Sequence, residues 1–255
     1  MYYSFIPGPG QPDQEVVMPE GQAVAGFPVG IIVIDIWYPL LPGNVANAST
    51  FDFPVMYKVL KGASIDQILC GDPELLPLVI DAGHELIQHG ARCIVGACGS
   101  FAYYQKEAAA SFPVPTFLSS MLQVPLILHS LKPNQKLGVI AASPDSLTQK
   151  VFDQCGISEP SRLAITGAKG LPEFENILQS TGRLNSCKLE EELVELARRF
   201  VSEHPEIGSI LLQCSDLPPY AWAIQNALGL PVYDMITLIN WLHSAVVRRP
   251  FAGFT

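Results

Sequence analysis

One pattern occurs twice in this chain, and it limits the folds open to it more than any other feature. The apolar run Cys93-Ile94-Val95-Gly96-Ala97 leads directly into Cys98-Gly99-Ser100, and the run 207–213 leads in the same way into Cys214-Ser215-Asp216. An offset of 116 residues (214 − 98) superposes Cys98 on Cys214, Tyr104 on Tyr220, Pro115 on Pro231, Ile94 on Ile210 and Leu122 on Leu238. In both places the cysteine follows an apolar run, precedes a helical pattern and lies 17 residues (115 − 98) before a proline that opens a short strand. Matches in both identity and order indicate an internal duplication.

The rest of the chain agrees with two α/β halves. Short β-branched runs such as Gly30-Ile31-Ile32-Val33-Ile34 and Lys136-Leu137-Gly138-Val139-Ile140-Ala141-Ala142 alternate with helical patterns, which is the signature of parallel sheets. Asp72-Pro73-Glu74 reads as a helix start, and so does Ser143-Pro144, with a capping side chain followed by Pro at the first helical position. The segment 38–54 is a long loop rich in Pro, Gly and Asn, and a loop of that length in a compact domain is usually functional.

Composition removes several classes. A net charge of −9, with no basic cluster longer than Arg198-Arg199 or Arg248-Arg249, leaves nothing to grip a phosphate backbone, so no nucleic-acid partner is expected. The most apolar stretch, 30–41, is broken by Asp35 and Pro39 and falls short of the roughly 20 residues that span a bilayer. The N-terminus lacks the positive region of a signal peptide, the first basic residue being Lys58, so a soluble cytoplasmic protein is expected. Six cysteines without CxxC or Cys/His spacing predict neither a disulfide framework nor a structural metal site. Gly-rich phosphate fingerprints and a Gly-x-Ser-x-Gly elbow are also missing, so no cofactor is expected.

What remains is the cysteine pair. In a parallel sheet, ligands bind beyond the carboxyl ends of the strands. A cysteine there also meets a helix N-terminus, whose dipole and free N–H groups favour a thiolate. Two such groups facing each other suit proton chemistry at carbon: one thiolate abstracts, the opposite thiol donates, and helix-start N–H groups stabilise charge developing on a substrate carboxylate. Cys70, Cys93, Cys155 and Cys187 have no duplicated placement and read as structural. Asp35 closes the first strand, and of lining the cleft or capping a loop the former is favoured. Asp216 either caps the next helix or takes part in the chemistry.

Ala97-Cys98-Gly99-Ser100 and Gln213-Cys214-Ser215-Asp216-Leu217-Pro218-Pro219-Tyr220 resemble the two cysteine motifs of the aspartate/glutamate/hydantoin racemase superfamily. Gly138-Val139-Ile140-Ala141-Ala142-Ser143 resembles the strand and turn opening that family's second half. Leu41-Pro42-Gly43-Asn44-Val45-Ala46-Asn47-Ala48-Ser49-Thr50 is similar to a substrate loop in a less characterised branch. The resemblance implies two pseudo-symmetric Rossmann-like domains with the active site in the cleft between them. It divides the chain into an arm over 1–29, a first half over 30–121 and a second over 122–234, with 235–255 packing back on the first. It also implies acid/base roles for Cys98 and Cys214, and substrate contacts from Gly99, Ser100, Ser143, Ser215, Asp216, Asp35, Asn47 and Thr50. A homo-oligomer without cofactor or metal, acting on a small carboxylate, is expected. Typical glutamate racemases carry Asn-Thr and Thr-His where this chain has Gly99-Ser100 and Ser215-Asp216, which argues against L-glutamate. Decarboxylases of the group keep one cysteine, so the pair argues against that branch. The leading expectation is a racemase or epimerase of an amino acid or hydantoin-like compound. A cysteine lyase of the dimethylsulfoniopropionate type, or a maleate-type cis-trans isomerase, is the alternative.

Overall fold

A computed structural model describes residues 17–249, 251 and 253–255, so residues 1–16 of the expected arm lie outside the described residues. The first half contains β1 (Val29–Ile34), β2 (Val55–Leu60), α1 (Ile65–Cys70), α2 (Leu75–Gln88), β3 (Cys93–Gly96), α3 (Gln105–Ser111) and β4 (Thr116–Phe117). After α4 (Val124–Ser130) come β5 (Lys136–Ala141), α5 (Gln149–Gln154), β6 (Leu163–Gly167), α6 (Pro172–Leu178) and α7 (Ser186–Glu203). β7 (Ile207–Leu212), α8 (Ala221–Leu228), β8 (Val232–Tyr233) and α9 (Met235–Val246) complete the chain.

The strands form two four-stranded parallel sheets, ordered β2-β1-β3-β4 and β6-β5-β7-β8. The duplication extends to the hydrogen-bonding register. Ile94 lies opposite Thr116 and Val95 opposite Phe117; Ile210 lies opposite Val232 and Leu211 opposite Tyr233, so each pair repeats at the same offset of 116 (210 − 94). β1 and β5 are central and buried on both faces, which their β-branched runs require. The sequence pattern does not reveal β2 and β6, one edge strand of each sheet. Along β2 only Leu60 is buried, so the continuous apolar run that marks a central strand is missing there.

Each sheet is also covered by a helix that follows the other sheet's last strand. α9 buries Met235, Leu238, Ile239 and Leu242 against Val29, Ile31, Cys93 and Val95 of the first sheet. α4 sets Val124, Ile127 and Leu128 beside Leu137 and Val139 of β5. Two expected helix starts differ in detail. Asp72 Oδ1 accepts the Glu74 N–H (3.0 Å) in a turn ahead of α2, which begins at Leu75. Ser143-Pro144 opens only a 3-10 turn, Pro144–Ser146, without a side-chain cap, and α5 begins at Gln149. Among the described residues no helix is long and apolar enough to cross a membrane.

Gly30 and Gly138 occupy matching places in the two central strands, paired with Ile94 and Ile210. A Cβ on Gly30 would lie 2.9 Å from Ile94 Cδ1, and one on Gly138 would lie 2.8 Å from Ile210 Cδ1. The missing side chain is the space that the neighbouring isoleucine fills. Gly138→Val should therefore cost about 1–3 kcal/mol of stability through overpacking, read as a lower urea midpoint. Adding Ile210→Val, which removes the clashing methyl, should recover part of that loss.

Candidate active site

Both cysteines are presented by the same local device. Cys98 is extended (φ −164°, ψ 132°) at the start of the 3-10 turn Gly99–Tyr104, which passes into α3. Cys214 follows β7 and precedes the 3-10 turn Pro218–Tyr220, which passes into α8. The joints are Tyr104 (φ −113°, ψ 8°) and Tyr220 (φ −104°, ψ 1°), nearly identical backbones at duplicated positions.

The two strand ends abut. Ser215 Oγ donates to the Ala97 carbonyl across the seam (2.9 Å), and Ser120 Oγ donates to the carbonyls of Leu212 (3.2 Å) and Gln213 (3.3 Å). Gly99 packs so closely that a Cβ would lie 2.3 Å from both the carbonyl oxygen and Nε2 of Gln213. Gly99 and Ser215, expected to contact substrate, are thus engaged in joining the halves. The charge of Cys98 is among the influences raising the Cys214 pKa.

The surroundings of the two thiols differ. Cys98 is half-buried, and the N–H groups of Ser100 and Phe101 and the Ser100 hydroxyl draw its pKa down. Burial outweighs those donors, Asp216 adds to it, and the thiol is pushed up to about 12. Cys214 is buried and donates its thiol proton to Asp216 Oδ2 (3.3 Å). Burial, then the Asp216 charge, then Cys98 hold it well above the ordinary thiol range. The expectation of thiolates favoured by helix starts is therefore corrected. The turns that begin here are short 3-10 segments with few aligned peptides, and desolvation dominates.

Asp216 caps no helix; the turn after it has Leu217 in the capping position without a side-chain bond. Its Oδ1 accepts from Tyr38 Oη and from Asn44 Nδ2 (2.9 Å), and Asn44 Nδ2 also reaches Tyr38 Oη (3.0 Å). Burial raises the Asp216 pKa while the donors Tyr38, Asn44 and Cys214 pull it down, and no Lys or Arg contributes. Burial, and then Asp216, keep the Tyr38 phenol protonated. The offset of 116 that matches the cysteines also matches Ser100 with Asp216, so a hydroxyl attends one thiol and a carboxylate the other.

The remaining expected residues do other work. Asp35 is exposed, accepts the Gly62 N–H (3.2 Å) and pairs with Lys61 (3.6 Å), so it serves the turn after β2 and not the cleft. Asn47 accepts from the Ser49 N–H (2.9 Å) and donates to the Leu40 carbonyl (2.9 Å). Thr50 accepts the Gly43 N–H (2.9 Å) and donates to the Asn44 carbonyl (2.8 Å). Both residues shape the loop from within. Ser143 is buried at the end of β5, where its carbonyl accepts the Ser146 hydroxyl (2.7 Å). The loop 38–54 does reach the site, but through Tyr38 and Asn44, which sequence reasoning missed. The loop's length was the signal, and nothing in its composition ranks one polar residue over another. Among the described residues no group of three or more His, Cys, Asp or Glu is placed to hold a metal ion.

No protein-family model matches the chain. It is 31% identical over 243 residues to dimethylsulfoniopropionate lyase 3 of Emiliania huxleyi, covering 90% of this chain. The chain spans 63% of that relative's length. It is 27% identical over 234 residues to a dimethylsulfoniopropionate lyase of Durusdinium sp. clade D, covering 88% of this chain and 77% of that one. Among solved structures, unliganded arylmalonate decarboxylase aligns with a TM-score of 0.56 at 17% identity, over 89% of this chain and 95% of that one. Allantoin racemase from Pseudomonas fluorescens aligns with a TM-score of 0.55 at 12% identity, over 89% of this chain and all of the other (100%). At these identities the structural likenesses bear on the fold alone.

The carboxylate beside Cys214 has two opposed effects, and Asp216→Asn separates them. Removing the negative charge should lower the Cys214 pKa, so iodoacetamide should alkylate it faster at pH 8 than in the wild type, read by peptide mass spectrometry. Catalytic turnover should fall in the same variant, because the thiol has lost its proton acceptor. Unchanged alkylation would show that Asp216 does not control this thiol.

Proposed function

We propose that this chain, which shares the fold of arylmalonate decarboxylase and allantoin racemase, is a cysteine-dependent lyase of the aspartate/glutamate/hydantoin racemase superfamily acting on dimethylsulfoniopropionate or a close β-sulfonio carboxylate. The observation that carries this reading is the unequal dress of the two thiols. Proton abstraction in both directions calls for two comparable bases, whereas an elimination needs one base and one site that binds charge. Asp216 gives Cys214 a directly bonded proton acceptor at 3.3 Å, whereas Cys98 feels the Asp216 charge without such a bond and has the Ser100 and Phe101 N–H groups beside it.

In the proposed reaction Asp216 takes the Cys214 thiol proton, and the thiolate abstracts a proton from the carbon next to the substrate carboxylate. The C–H electron pair forms the Cα=Cβ bond, and the Cβ–S bond breaks with its electrons leaving on sulfur. The products are dimethyl sulfide and acrylate, and the net proton is released through Cys214 and Asp216. Around Cys98, the thiol and the Ser100 and Phe101 N–H groups stabilise the enolate-like charge on the carboxylate. The sulfonium explains how thiols held protonated at rest become active. A cation within about 4–6 Å favours the thiolate, and Asp216 with the Tyr38 ring, unaccompanied by Lys or Arg, suits a cationic group.

A racemase remains the second reading, favoured by the duplicated positions of the two cysteines. Incubation with dimethylsulfoniopropionate, followed by headspace gas chromatography for dimethyl sulfide, distinguishes them. The lyase releases sulfide; Cys214→Ala should lower kcat/KM by about 10²- to 10⁴-fold, and Cys98→Ala should lower it by less. No sulfide, together with deuterium entering Cα of an amino acid or hydantoin in D2O, would put the racemase ahead.

A further inference from the structure

The loop after β1 leaves the first half and ends on the second. Gly43 presses on Pro219, where a Cβ would lie 2.8 Å from Pro219 Cα, and the Trp37 ring covers Gly182, where a Cβ would lie 2.7 Å from it. Between these contacts Tyr38 and Asn44, both buried, end on Asp216. Their position is set from within the loop: Asn44 Oδ1 accepts the Ala46 N–H (2.8 Å), and Thr50 Oγ1 accepts from Gly43 and donates to the Asn44 carbonyl. Both donors take Oδ1 and leave Oδ2 to the Cys214 thiol. The terminal torsion of a carboxylate is broad and nearly two-fold, so without such a grip either oxygen, at a range of angles, could face the sulfur.

We propose that Tyr38 and Asn44 are positioning residues that clamp Oδ1 of Asp216 from the first half, so that Oδ2 is aimed at Cys214 in the second. The proposal rests on the reading of Cys214 as the base. It makes the base a product of both halves, competent only while the loop is seated. Ser100, at the matching position beside Cys98, carries no carboxylate to be clamped, so the first half alone supplies the grip. The titratable groups facing Asp216 are Tyr38 from the loop, Cys214 on its own turn, Cys98 across the seam and Tyr220 at the start of α8. Tyr38 and Asn44 donate to the ionised carboxylate and favour it. Loss of either donor therefore moves the Asp216 titration to higher pH, and with it the acid limb of any step that needs the carboxylate.

The test uses Tyr38→Phe, which keeps the ring, and Asn44→Ala, with thermal melts to establish that each is folded. Two readouts need no substrate: ¹³C NMR titration of the Asp216 carboxyl carbon, assigned by its loss in Asp216→Asn, and the pH dependence of Cys214 alkylation by iodoacetamide. A third is the pH profile of dimethyl sulfide release. In both variants the Asp216 midpoint should rise, Cys214 alkylation should become faster over the pH range in which Asp216 is neutral in the variant but ionised in the wild type, and kcat should fall on the order of 10- to 100-fold with KM little changed. An unmoved midpoint in the folded variants overturns the proposal. So does a midpoint that moves while alkylation and the kcat profile stay in place, which is what a merely structural network would give. If one variant fails to fold, the other decides. A wild type that releases no sulfide, yet whose Cys214 alkylation tracks Asp216 and shifts in the variants, discards the lyase reading and keeps the clamp.

Discussion

The seam between the two halves is the contact on which the candidate site depends. Ser215 donates its hydroxyl proton to the Ala97 carbonyl, and Gly99 lies directly against Gln213, so the residues next to each cysteine hold the opposite strand end. Any side chain at position 99 would force the strand ends apart, because the nearest obstacle includes the Gln213 backbone carbonyl, which cannot swing away as a side chain can. α4 and α9 cover the sheets on either side of the seam, each coming after the other sheet's last strand. The cysteines are therefore held by packing and not by the short turns that follow them.

The same seam explains why both thiols are protonated at rest. Closing two sheet ends on each other removes water from the sulfurs, and the desolvation exceeds what the Ser100 and Phe101 N–H groups return to Cys98. Asp216 adds a second penalty at Cys214, yet offers the acceptor through which that thiol can lose its proton. A pair matched in fold is thus unmatched in chemistry. The backbone device is repeated in both halves, and Ser100 against Asp216 is the difference that gives the two thiols unlike polar neighbours.

The loop after β1 bears on how much of the site could be read in advance. Its length marked it as functional, and it does reach Asp216. Asn47 and Thr50, and not Asn44, were the residues of this segment expected to contact substrate. In the folded loop Asn47 bonds to Ser49 and Leu40, and Thr50 bonds to Gly43 and Asn44, so both face inward on the loop itself. Asp35 ends an inner strand, as a cleft residue would, but β2 beside it places Lys61 and the Gly62 N–H within its reach. β2 was not anticipated, and the direction of Asp35 could not be known without it.

The sequence by itself determined the duplication and the features that local physics dictates. It set the β-branched central strands, the cysteine at the end of β3 and again after β7, and the offset of 116 that persists into the register of β3 with β4 and of β7 with β8. These depend on neighbours in the chain, where residue type and spacing suffice. The edge strands β2 and β6, the reach of Tyr38 and Asn44 to Asp216 and the protonation of the thiols were decided only by tertiary structure. Each depends on groups far apart in sequence: Tyr38 and Asp216 are 178 residues apart, and whether a thiol keeps its proton depends on how much water the two halves exclude when they meet.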